Sequence, residues 1–399
     1  MTASNLSEEA IMVFEYTDPD EHFHGWLVID GARHALCAGG MRVQPGLTRD
    51  HVMAMARNMT MKMRICGLAI DGAKCGIDYP PAAPGKRAAM ARFMAAIKPF
   101  IAERYSMGPD LNTSMEELES IARELGIPSV KMAIAKAQGM DLPSFLARYE
   151  ILSQKAIGEW TLGRLRAGYG VAMAALATLN DMAIPVRGAR VSVQGFGNLA
   201  KAAIVALTEA GAIITAIADA EKCVMAGDDQ PLPVAEFLNH PGTLIPTLNA
   251  TTVRVLDKAS ILSQEADLLI LAAVENVISA ENAATIRAKA VIPGANLAIT
   301  AAGDQTLFAR GIVALPSFVA GCGGSLSMNG LFGPSQPPSP RQVLDYIGSA
   351  MTAMVDKILV KSRAEGINPT LAAHLICQTE PIAPNPRPYS LVPQSAPCP

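Results

Sequence analysis

The sequence predicts an α/β protein of two domains, in which a mixed first domain precedes a doubly wound, mainly parallel sheet. From residue 190 onward, short apolar runs alternate with stretches of helical periodicity, as in parallel strands joined by helices. Residues 1–45 instead contain three short apolar runs separated by turn residues, which predicts antiparallel strands. The chain has 399 residues, half of them apolar, which is enough for two or three cores.

Charge and cysteine content exclude several classes. The formal charge is −3 and no basic run occurs, which argues against nucleic-acid binding. The first 25 residues lack the basic and apolar segments of a signal peptide, and no apolar stretch approaches the length of a membrane span. The seven cysteines lack C-x-x-C spacing, which favours free thiols over disulfides or a zinc site. We therefore expect a cytoplasmic protein without membrane contact and without a bound metal.

The first long helix is predicted after Pro45 and Gly46, with Thr48 as its cap. Its apolar residues recur at three- and four-residue steps, and Lys62 falls among them. Two interpretations of Lys62 stay open. The commoner one is a lysine that snorkels from the end of a core helix, and the other is a cation aimed into a cleft to hold a carboxylate.

Two further polar residues of the first domain stand in suggestive places. Lys74 lies between Gly72 and Gly76, which predicts a turn that points its side chain inward. In apolar surroundings such a lysine would have its pKa lowered toward the range of a general base, whereas a solvated loop lysine is the alternative. Asp110 lies just before a predicted helix cap at Thr113 or Ser114, and alone it indicates only a turn.

The region 189–219 reads as strand, glycine turn, helix and strand. The apolar run ends at Gly195-Phe196-Gly197, a helix opens at Asn198, and the next apolar run ends at Asp219. Glycines at such a turn let a pyrophosphate approach the backbone, and the helix N-terminus offers free N–H groups to it. The acid 24 residues after Gly195 is close to the spacing of a carboxylate that binds the ribose hydroxyls of NAD. The stretch therefore predicts a dinucleotide site.

The chain then continues as alternating strands and helices. Ala272 closes one predicted strand and Asn296 follows the next, and cofactors lie at the carboxyl ends of such strands. A helix from about 341 to 366 is expected to return to the first domain or to contact another subunit. The tail from 381 holds seven prolines and is expected to be disordered or extended.

Eight motifs follow one another in a characteristic order between about residues 38 and 330. They are GGMR (39–42), MTMK (59–62), DGAKCGI (71–77), PDLNTSMEEL (109–118), TLGRLRAGYGV (161–171), VQGFGN (193–198), IPGANLAIT (292–300) and LPSFVAGCGGS (315–325). This succession resembles the amino-acid dehydrogenases, that is, the glutamate, leucine, phenylalanine and valine dehydrogenases.

The resemblance implies a substrate domain over 1–160, an NAD-binding Rossmann domain over 161–325, returning C-terminal helices over 326–380 and a tail over 381–399. It also implies assembly of identical subunits and NAD-dependent, reversible conversion of an L-amino acid to the 2-oxo acid and ammonia, in a cleft between the domains. Lys62 would hold the α-carboxylate beside Gly40, Lys74 would activate water or the carbinolamine, and Asp110 would pass a proton to and from nitrogen. A 2-hydroxy-acid dehydrogenase would call for a catalytic histidine, and no histidine lies in a catalytic-looking motif.

Several positions depart from the family pattern. Ala38 stands where glutamate members carry a lysine, and Met328 stands near their serine. Both changes would leave the side-chain carboxylate of a bound glutamate buried and unpaired. They therefore predict a substrate with an apolar side chain, and glutamate is kept as the alternative. Ala167 and Gly321 also depart, so a catalytically impaired dinucleotide-binding member is the second alternative.

Two other expectations concern the cofactor and an apparent insertion. Asp219 would repel a 2′-phosphate, which favours NAD over NADP. Residues 140–158 lengthen the chain relative to leucine-type members. They predict a packed surface helix, with a lid or a subunit contact as the alternative.

Overall fold

The computed structural model describes residues 11–227, 231–247, 253–379, 382 and 387–391. The chain divides into two compact units, one formed by Met1–Arg148 with Glu380–Pro399 and the other by Tyr149–Thr379. The boundary falls before the predicted residue 160, because residues 151–161 pack against the helix that begins at Leu162.

A five-stranded sheet organises the first unit. Its strands are β1 (Ile11–Thr17), β2 (His24–Asp30), β3 (Cys37–Val43), β4 (Asp71–Ile77) and β5 (Tyr105–Pro109), in the order β1-β2-β4-β3-β5. The pairs β1–β2 and β2–β4 are antiparallel, whereas β3 is parallel to both β4 and β5. The prediction that the third strand is antiparallel is therefore wrong. A helix connects β3 to β4, and a helical crossover returns the chain in the parallel direction.

Helices cover both faces of this sheet. They are α1 (Arg49–Ile65), α2 (Lys86–Ala96), α3 (Lys98–Glu103), α4 (Met115–Glu124), α5 (Met132–Gln138) and α6 (Leu142–Glu150). Thr48 caps α1 as predicted, because its hydroxyl accepts a hydrogen bond from the backbone N–H of His51 at 3.3 Å. The main apolar core lies on one face of the sheet and includes Phe93 of α2 and Leu118 of α4. A smaller cluster of Val28, Val52, Met55 and Ala56 joins the opposite face to α1.

The expected insertion contains α6. Phe145 is buried, whereas Leu142 and Leu146 are exposed. This is the pattern of a helix packed on a surface by one face. A role of α6 as a lid or subunit contact stays a prediction.

A seven-stranded sheet organises the second unit. Its strands are β8 (Arg190–Gln194), β9 (Ile213–Ala218), β10 (Lys222–Ala226), β11 (Val253–Asp257), β12 (Leu268–Leu271), β13 (Ala290–Pro293) and β14 (Val313–Ala314), preceded by the hairpin β6 (Lys155–Ile157) and β7 (Trp160–Thr161). The order is β11-β10-β9-β8-β12-β13-β14, with β9, β8, β12, β13 and β14 parallel. The prediction of a doubly wound, mainly parallel Rossmann-type sheet is confirmed.

The helices of the second unit are α7 (Leu162–Asp181), α8 (Asn198–Glu209), α9 (Val234–Phe237), α10 (Ala280–Ala283), α11 (Ala301–Ala309), α12 (Ser317–Ala320), α13 (Gly323–Phe332), α14 (Pro340–Glu365) and α15 (Pro369–Thr379). We expect from the sequence that α14 returns to the first domain or contacts another subunit. In the structure it belongs to the second unit, because its apolar stripe packs along α7. Gly170 and Gly323 let α7 and α13 cross closely, since a Cβ on Gly170 would lie 2.5 Å from the Cα of Gly323.

Part of the proline-rich tail is ordered against the first unit. Tyr389 is buried, and its backbone exchanges two hydrogen bonds with the side-chain amide of Gln138, at 3.1 and 3.2 Å. Residues 387–391 are therefore ordered, which departs from the first of the two expectations, a disordered or an extended tail. The rest of the tail lies outside the described residues, apart from Ile382.

The cysteines and the helices of the described ranges bear on the predictions of free thiols and of no membrane span. Six cysteines in those ranges are free thiols, and Cys398 lies outside them. None of the helices found there is both long and apolar enough to cross a membrane.

Candidate active site

The polar residues of the first unit gather on the sheet face that α1 covers, which we call the α1 face. Strand alternation and register place Ala38, Gly40 and Arg42 of β3 on this face, beside Lys74 of β4. Ser106 and Gly108 of β5 continue it, since they pair with Ala38 and Gly40. The alternate residues of these strands point into the main apolar core.

Asp110 is the centre of a charged cluster on the α1 face. It follows β5, and its Oδ2 lies 2.8 Å from Lys74 Nζ and 2.8 Å from Arg42 Nε. The exposed fractions of the Lys74 and Arg42 side chains are 3% and 7%, and that of Asp110 is 15%. The predicted catalytic pair is therefore in direct contact, with an arginine as the third member.

The environment of Asp110 fixes its charge state. Burial by itself would raise the pKa of this carboxyl group, but the charges and hydrogen bonds of Lys74 and Arg42 hold the pKa well below its usual range. Its backbone is also held, because the Asp110 N–H donates to Thr113 Oγ1 at 2.9 Å and that hydroxyl donates to the Met41 carbonyl at 2.8 Å. Asp110 is therefore a carboxylate in a fixed position at neutral pH.

Lys74 lies within a strand and not in the turn that its flanking glycines predict. Residues Asp71–Ile77 form β4, a central strand whose residues are all buried. Gly72 serves close packing of α1, since a Cβ there would lie 2.2 Å from the Thr60 nitrogen and 2.4 Å from the Ala56 carbonyl. Gly72 and Gly76 each lie two residues from Lys74, so all three residues share the α1 face.

The glycine pair of β3 has a similar steric origin. A Cβ on Gly39 would lie 1.6 Å from the Ala73 carbonyl oxygen, and one on Gly40 would lie 3.0 Å from Asp110 Cβ. Any side chain at these positions would separate β3 from β4 or push Asp110 away. Gly40 therefore keeps the floor next to the Lys74–Asp110 pair clear.

Two other predicted substrate-binding residues lie in the first unit. Lys62 is buried on α1, the helix that covers the α1 face. Ala38 is buried on β3, in register with Gly72 and Ser106. Met328 lies in the second unit, where it is buried on α13.

The predicted dinucleotide turn has the expected geometry. Gly195 adopts a φ of +118°, and a Cβ there would lie 2.8 Å from the Ala272 carbonyl oxygen. Gly197 precedes α8, and a Cβ on it would meet no atom within 4 Å, so the space over this N-terminus is open. Phe196 is buried between them. The turn thus presents backbone N–H groups to an anion, as a pyrophosphate site requires.

The strand that leads to this turn carries two buried polar atoms that need partners. Within the described residues, Ser192 Oγ and Gln194 Oε1 have no hydrogen-bond partner. Gln194 immediately precedes Gly195, so its oxygen is available to a donor at the turn. The residues present therefore fit a dinucleotide.

Other predicted cofactor residues lie around the carboxyl ends of the parallel strands. Ala272 follows β12, the neighbour of β8 in the sheet, and Asn296 follows β13, the next strand along. Asn198 starts α8, and its side-chain amide donates to the Arg164 carbonyl at 3.0 Å. Asn198 therefore ties α8 to α7, in addition to any role toward a cofactor.

The Asp219 carboxylate, predicted to bind a ribose, accepts three hydrogen bonds from backbone N–H groups of the protein. One carboxylate oxygen accepts from the backbone N–H groups of Glu221 and Lys222, both at 2.8 Å, and the other accepts from Ile245 at 2.6 Å. Although burial would raise the pKa of Asp219, these hydrogen bonds lower it. The carboxylate thus organises the loop after β9, and its contact with a ribose stays a prediction.

Two family models match the chain. The model described as Glutamate/Leucine/Phenylalanine/Valine dehydrogenase matches residues 162–376, more than half of the chain, and that described as Glu/Leu/Phe/Val dehydrogenase, dimerisation domain, matches residues 9–126. The chain belongs to the glutamate/leucine/phenylalanine/valine dehydrogenase family. It is thus a member of a family of dehydrogenases that act on the CH–NH2 group of amino acids.

Several glutamate dehydrogenases are similar to this family member in sequence. The NADP-specific glutamate dehydrogenase of Saccharolobus shibatae is 28% identical over 76% of this chain and 69% of its own length. The NAD-specific glutamate dehydrogenase of Peptoniphilus asaccharolyticus is 27% identical over 76% of this chain and 71% of its own. Relatives of both cofactor types therefore occur at similar identity.

Solved structures of the family share the fold. The hetero-hexameric glutamate dehydrogenase from Thermus thermophilus, in a Leu-bound form, has a TM-score of 0.73 at 22% identity, over 93% of this chain and 87% of its own. The L-tryptophan dehydrogenase from Nostoc punctiforme has a TM-score of 0.58 at 16% identity, over 92% and 94% of the two chains.

Sequence reasoning does not single out two buried basic residues near the α1 face, Arg42 and Lys131. Arg42 contacts Asp110 directly, and its only sequence signal is its place at the end of the GGMR motif. Lys131, just before α5, is buried with its Nζ 3.2 Å from Ser106 Oγ. No motif marks Lys131, because it lies in a turn that a hydrogen bond from the Met107 N–H to the Val130 carbonyl holds beside β5.

Proposed function

We propose that the protein catalyses reversible oxidative deamination of an L-amino acid to the 2-oxo acid and ammonia, with a nicotinamide dinucleotide as hydride acceptor. The observation that carries this proposal is the buried contact of Lys74 and Asp110 on a sheet face where Gly40 has no side chain. Deamination needs groups that exchange protons with nitrogen and water at a desolvated carbon, and a lysine beside a carboxylate provides them.

Each side chain of the cluster has a role in this proposal. Asp110, held as a carboxylate, passes a proton to and from the amino nitrogen of the substrate. Lys74 lies 2.8 Å away and activates the water or the carbinolamine. Arg42 positions Asp110 from the other side, and Lys62 binds the α-carboxylate from α1.

The dinucleotide would be held by backbone more than by side chains. Gly195, Gly197 and the N-terminus of α8 would bind the pyrophosphate, with Ala272 and Asn296 at the neighbouring strand ends. When bound, it supplies the hydride acceptor. The choice of NAD in this proposal rests on Asp219, while relatives include both NADP-specific and NAD-specific enzymes.

The substrate side chain has two candidates. Ala38 and Met328 are small or apolar and buried, which favours an aliphatic or aromatic amino acid. The relatives named glutamate dehydrogenase favour glutamate. A third possibility follows from Ala167 and Gly321, which depart from the family pattern: the chain would then bind a dinucleotide without turnover.

One assay separates these alternatives. The purified protein is supplied with NAD or NADP and a panel of L-amino acids, and reduced dinucleotide is followed by its absorbance. We expect turnover with at least one amino acid, and a loss of about 100- to 10,000-fold in Lys74→Ala. Dinucleotide binding by calorimetry without turnover of any amino acid would favour the impaired alternative. Activity that survives Lys74→Ala would remove the role given to Lys74.

We also propose that the protein works in the cytoplasm as an assembly of identical subunits. One matched model is described as a dimerisation domain, and one similar structure is a hetero-hexameric glutamate dehydrogenase. Light scattering after size exclusion measures the assembly, and a monomeric mass would contradict it.

A further inference from the structure

Lys201 is a buried cation beside the predicted dinucleotide turn, and the proposed function gives it no role. It lies on α8, three residues after Asn198, where that helix begins. Its ammonium group is 4.2 Å from the centroid of the Phe196 ring, within the range of a cation–π interaction. Because Phe196 stands between Gly195 and Gly197, Lys201 contacts the middle residue of the turn.

The same ammonium group holds a loop that follows α9. Lys201 Nζ donates hydrogen bonds to the carbonyl oxygens of His240 and Gly242, at 2.5 and 2.7 Å. Two carbonyl oxygens and one aromatic face match the three N–H donors of an ammonium group. Lys201 therefore connects this loop to the dinucleotide turn, and an apolar side chain of the same length could make neither hydrogen bond.

The loop also contacts two predicted cofactor-binding residues, one at each end. The Phe237 ring packs on the Phe196 ring, with their centroids 5.8 Å apart. The Ile245 N–H donates to Asp219 Oδ2 at 2.6 Å. We call residues 237–245 the 237–245 segment. It joins the turn that is expected to bind the pyrophosphate to the carboxylate that is expected to bind the ribose.

We propose that Lys201 is a positioning residue of the dinucleotide site, acting on Phe196 directly and on Asp219 through the 237–245 segment. This inference rests on the proposed binding of a dinucleotide and adds a residue that lies outside the glycine motif. A turn and a carboxylate that are fixed before binding lose less conformational entropy when the ligand binds, which lowers its Kd. Without the ammonium group, the middle of the segment would lose both hydrogen bonds to α8.

A purely structural role of Lys201 is the competing explanation. Lys201 would then stabilise the second unit, and its loss would lower Tm without changing how the folded protein binds a dinucleotide. The positioning role predicts instead a higher Kd in protein that remains folded. It also predicts that this effect depends on Asp219, because Ile245 connects the segment to that carboxylate.

The test measures the Kd for NAD and for NADP by calorimetry, well below the Tm of each variant. In Lys201→Met, we expect the Kd of the dinucleotide that the wild type binds to rise about 3- to 30-fold. Lys201→Arg should retain part of the affinity, since a guanidinium group also donates to carbonyl oxygens and stacks on aromatic rings. The matched control is Lys289→Met, which should leave Kd unchanged. Lys289 is exposed before β13, at the amino end of that strand, and pairs with Asp267.

A double-mutant cycle tests the connection to Asp219. In the variant that combines Lys201→Met with Asp219→Asn, the loss of affinity should be smaller than the product of the two single losses. Losses that simply multiply would overturn the route through the 237–245 segment. If Lys201→Met does not fold, Lys201→Gln, which still donates to one carbonyl oxygen, should show a smaller rise in Kd.

Hydrogen exchange in peptides that contain residues 238–245 shows whether the segment has loosened in the folded variants. Faster exchange together with an unchanged Kd would overturn the positioning role and leave the proposed function intact. Weaker dinucleotide binding in Lys201→Met, in a protein whose wild type turns over no amino acid, would support the positioning role and remove the dehydrogenase activity. A wild type that binds neither NAD nor NADP would overturn both.

Discussion

The candidate site of the first unit consists of charged side chains, whereas that of the second unit consists mainly of backbone groups. In the first unit, charged side chains from β3, β4 and the end of β5 converge on Asp110. In the second unit, the turn before α8 offers backbone N–H groups and open space, with Gly195 in a conformation that L side chains rarely adopt. The candidate site of the first unit therefore depends on its charged side chains, whereas the turn of the second unit depends on the absence of side chains at its glycines.

The largest effect is expected from Asp110→Asn in the first unit. The change removes the anion between two buried cations and the proposed proton carrier, so kcat should fall by about 100- to 10,000-fold. Breaking a buried ion pair on one side also costs about 3–5 kcal/mol of unfolding free energy. Steady-state kinetics and urea unfolding measure the two effects.

The matched control for Asp110→Asn is Asp345→Asn, at an exposed pair with Arg341 on α14. Loss of such a surface pair should change stability by less than about 1 kcal/mol. If Asp110→Asn behaved like this control in both assays, the cluster would have neither the catalytic nor the electrostatic role given to it.

The next effect separates the two glycines of the second unit. Gly195→Ala should destabilise the fold by about 1–3 kcal/mol, because alanine is strained at a φ of +118° and its Cβ would press on the Ala272 carbonyl. Gly197→Ala should leave stability within about 0.5 kcal/mol, since its Cβ meets no atom within 4 Å. We expect that same methyl group to raise the Kd for the dinucleotide at least about tenfold, through close approach to the pyrophosphate.

Thermal unfolding and calorimetric titration with NAD and NADP measure these two properties. Unchanged affinity in a well-folded Gly197→Ala protein would remove the turn from the dinucleotide site. An equal loss of stability in both variants would instead mean that Gly197 has a packing role that its open surroundings do not indicate.

Much of this contrast follows from the sequence, and the rest depends on pairing between distant segments. The glycine turn is local, so the strand, the turn and the helix can be predicted from the 31 consecutive residues 189–219. The role of Lys74 follows only from the resemblance. Its flanking glycines predict a turn, and the sequence does not show that Gly72 packs against Ala56 and Thr60 of α1. Nor does it show that Gly76 packs against Arg42 and Leu47. Lys131 reaches Ser106 from a turn before α5 that has no sequence pattern of its own. The side chains that meet on one face are set by the order of the strands in the sheet, and the periodicity of the sequence does not show that order.

The units should also differ in their pH dependence. Burial raises the pKa of Asp304 on α11 to about 6, although a hydrogen bond from Thr370 opposes this. Asp304 is therefore protonated in the folded state before it is in the unfolded chain, and stability should rise as pH falls from about 6 toward 4. Although burial opposes it, Arg92 and backbone N–H groups lower the pKa of Asp18 in the first unit to about 2. Its contribution is present above pH 4 and is lost as pH falls toward 2.

Asp304→Asn tests the sign of this effect. The shift of about two units corresponds to roughly 3 kcal/mol, so the variant should gain about 1–3 kcal/mol of unfolding free energy at pH 7 and almost nothing near pH 4. Urea unfolding at pH 4, 5, 6 and 7 measures the difference. A gain that is the same at every pH would mean that the ionisation of Asp304 is not its cause.

Alkylation of single thiols, which has the smallest expected effect, tests whether the two units unfold independently. Burial raises the pKa of Cys37 and Cys75 in the first unit to about 12 and that of Cys223 in the second to about 11, so all three should react slowly with iodoacetamide in the native protein. Among the six thiols of the described residues, half-buried Cys66 should react first. Because each unit has its own core, Cys37 and Cys75 should lose protection together as urea is raised. Mass spectrometry of labelled peptides gives the urea midpoint for each thiol. A midpoint shared by all three buried thiols would show one cooperative transition, and the charged site and the glycine turn would then depend on a single folding equilibrium.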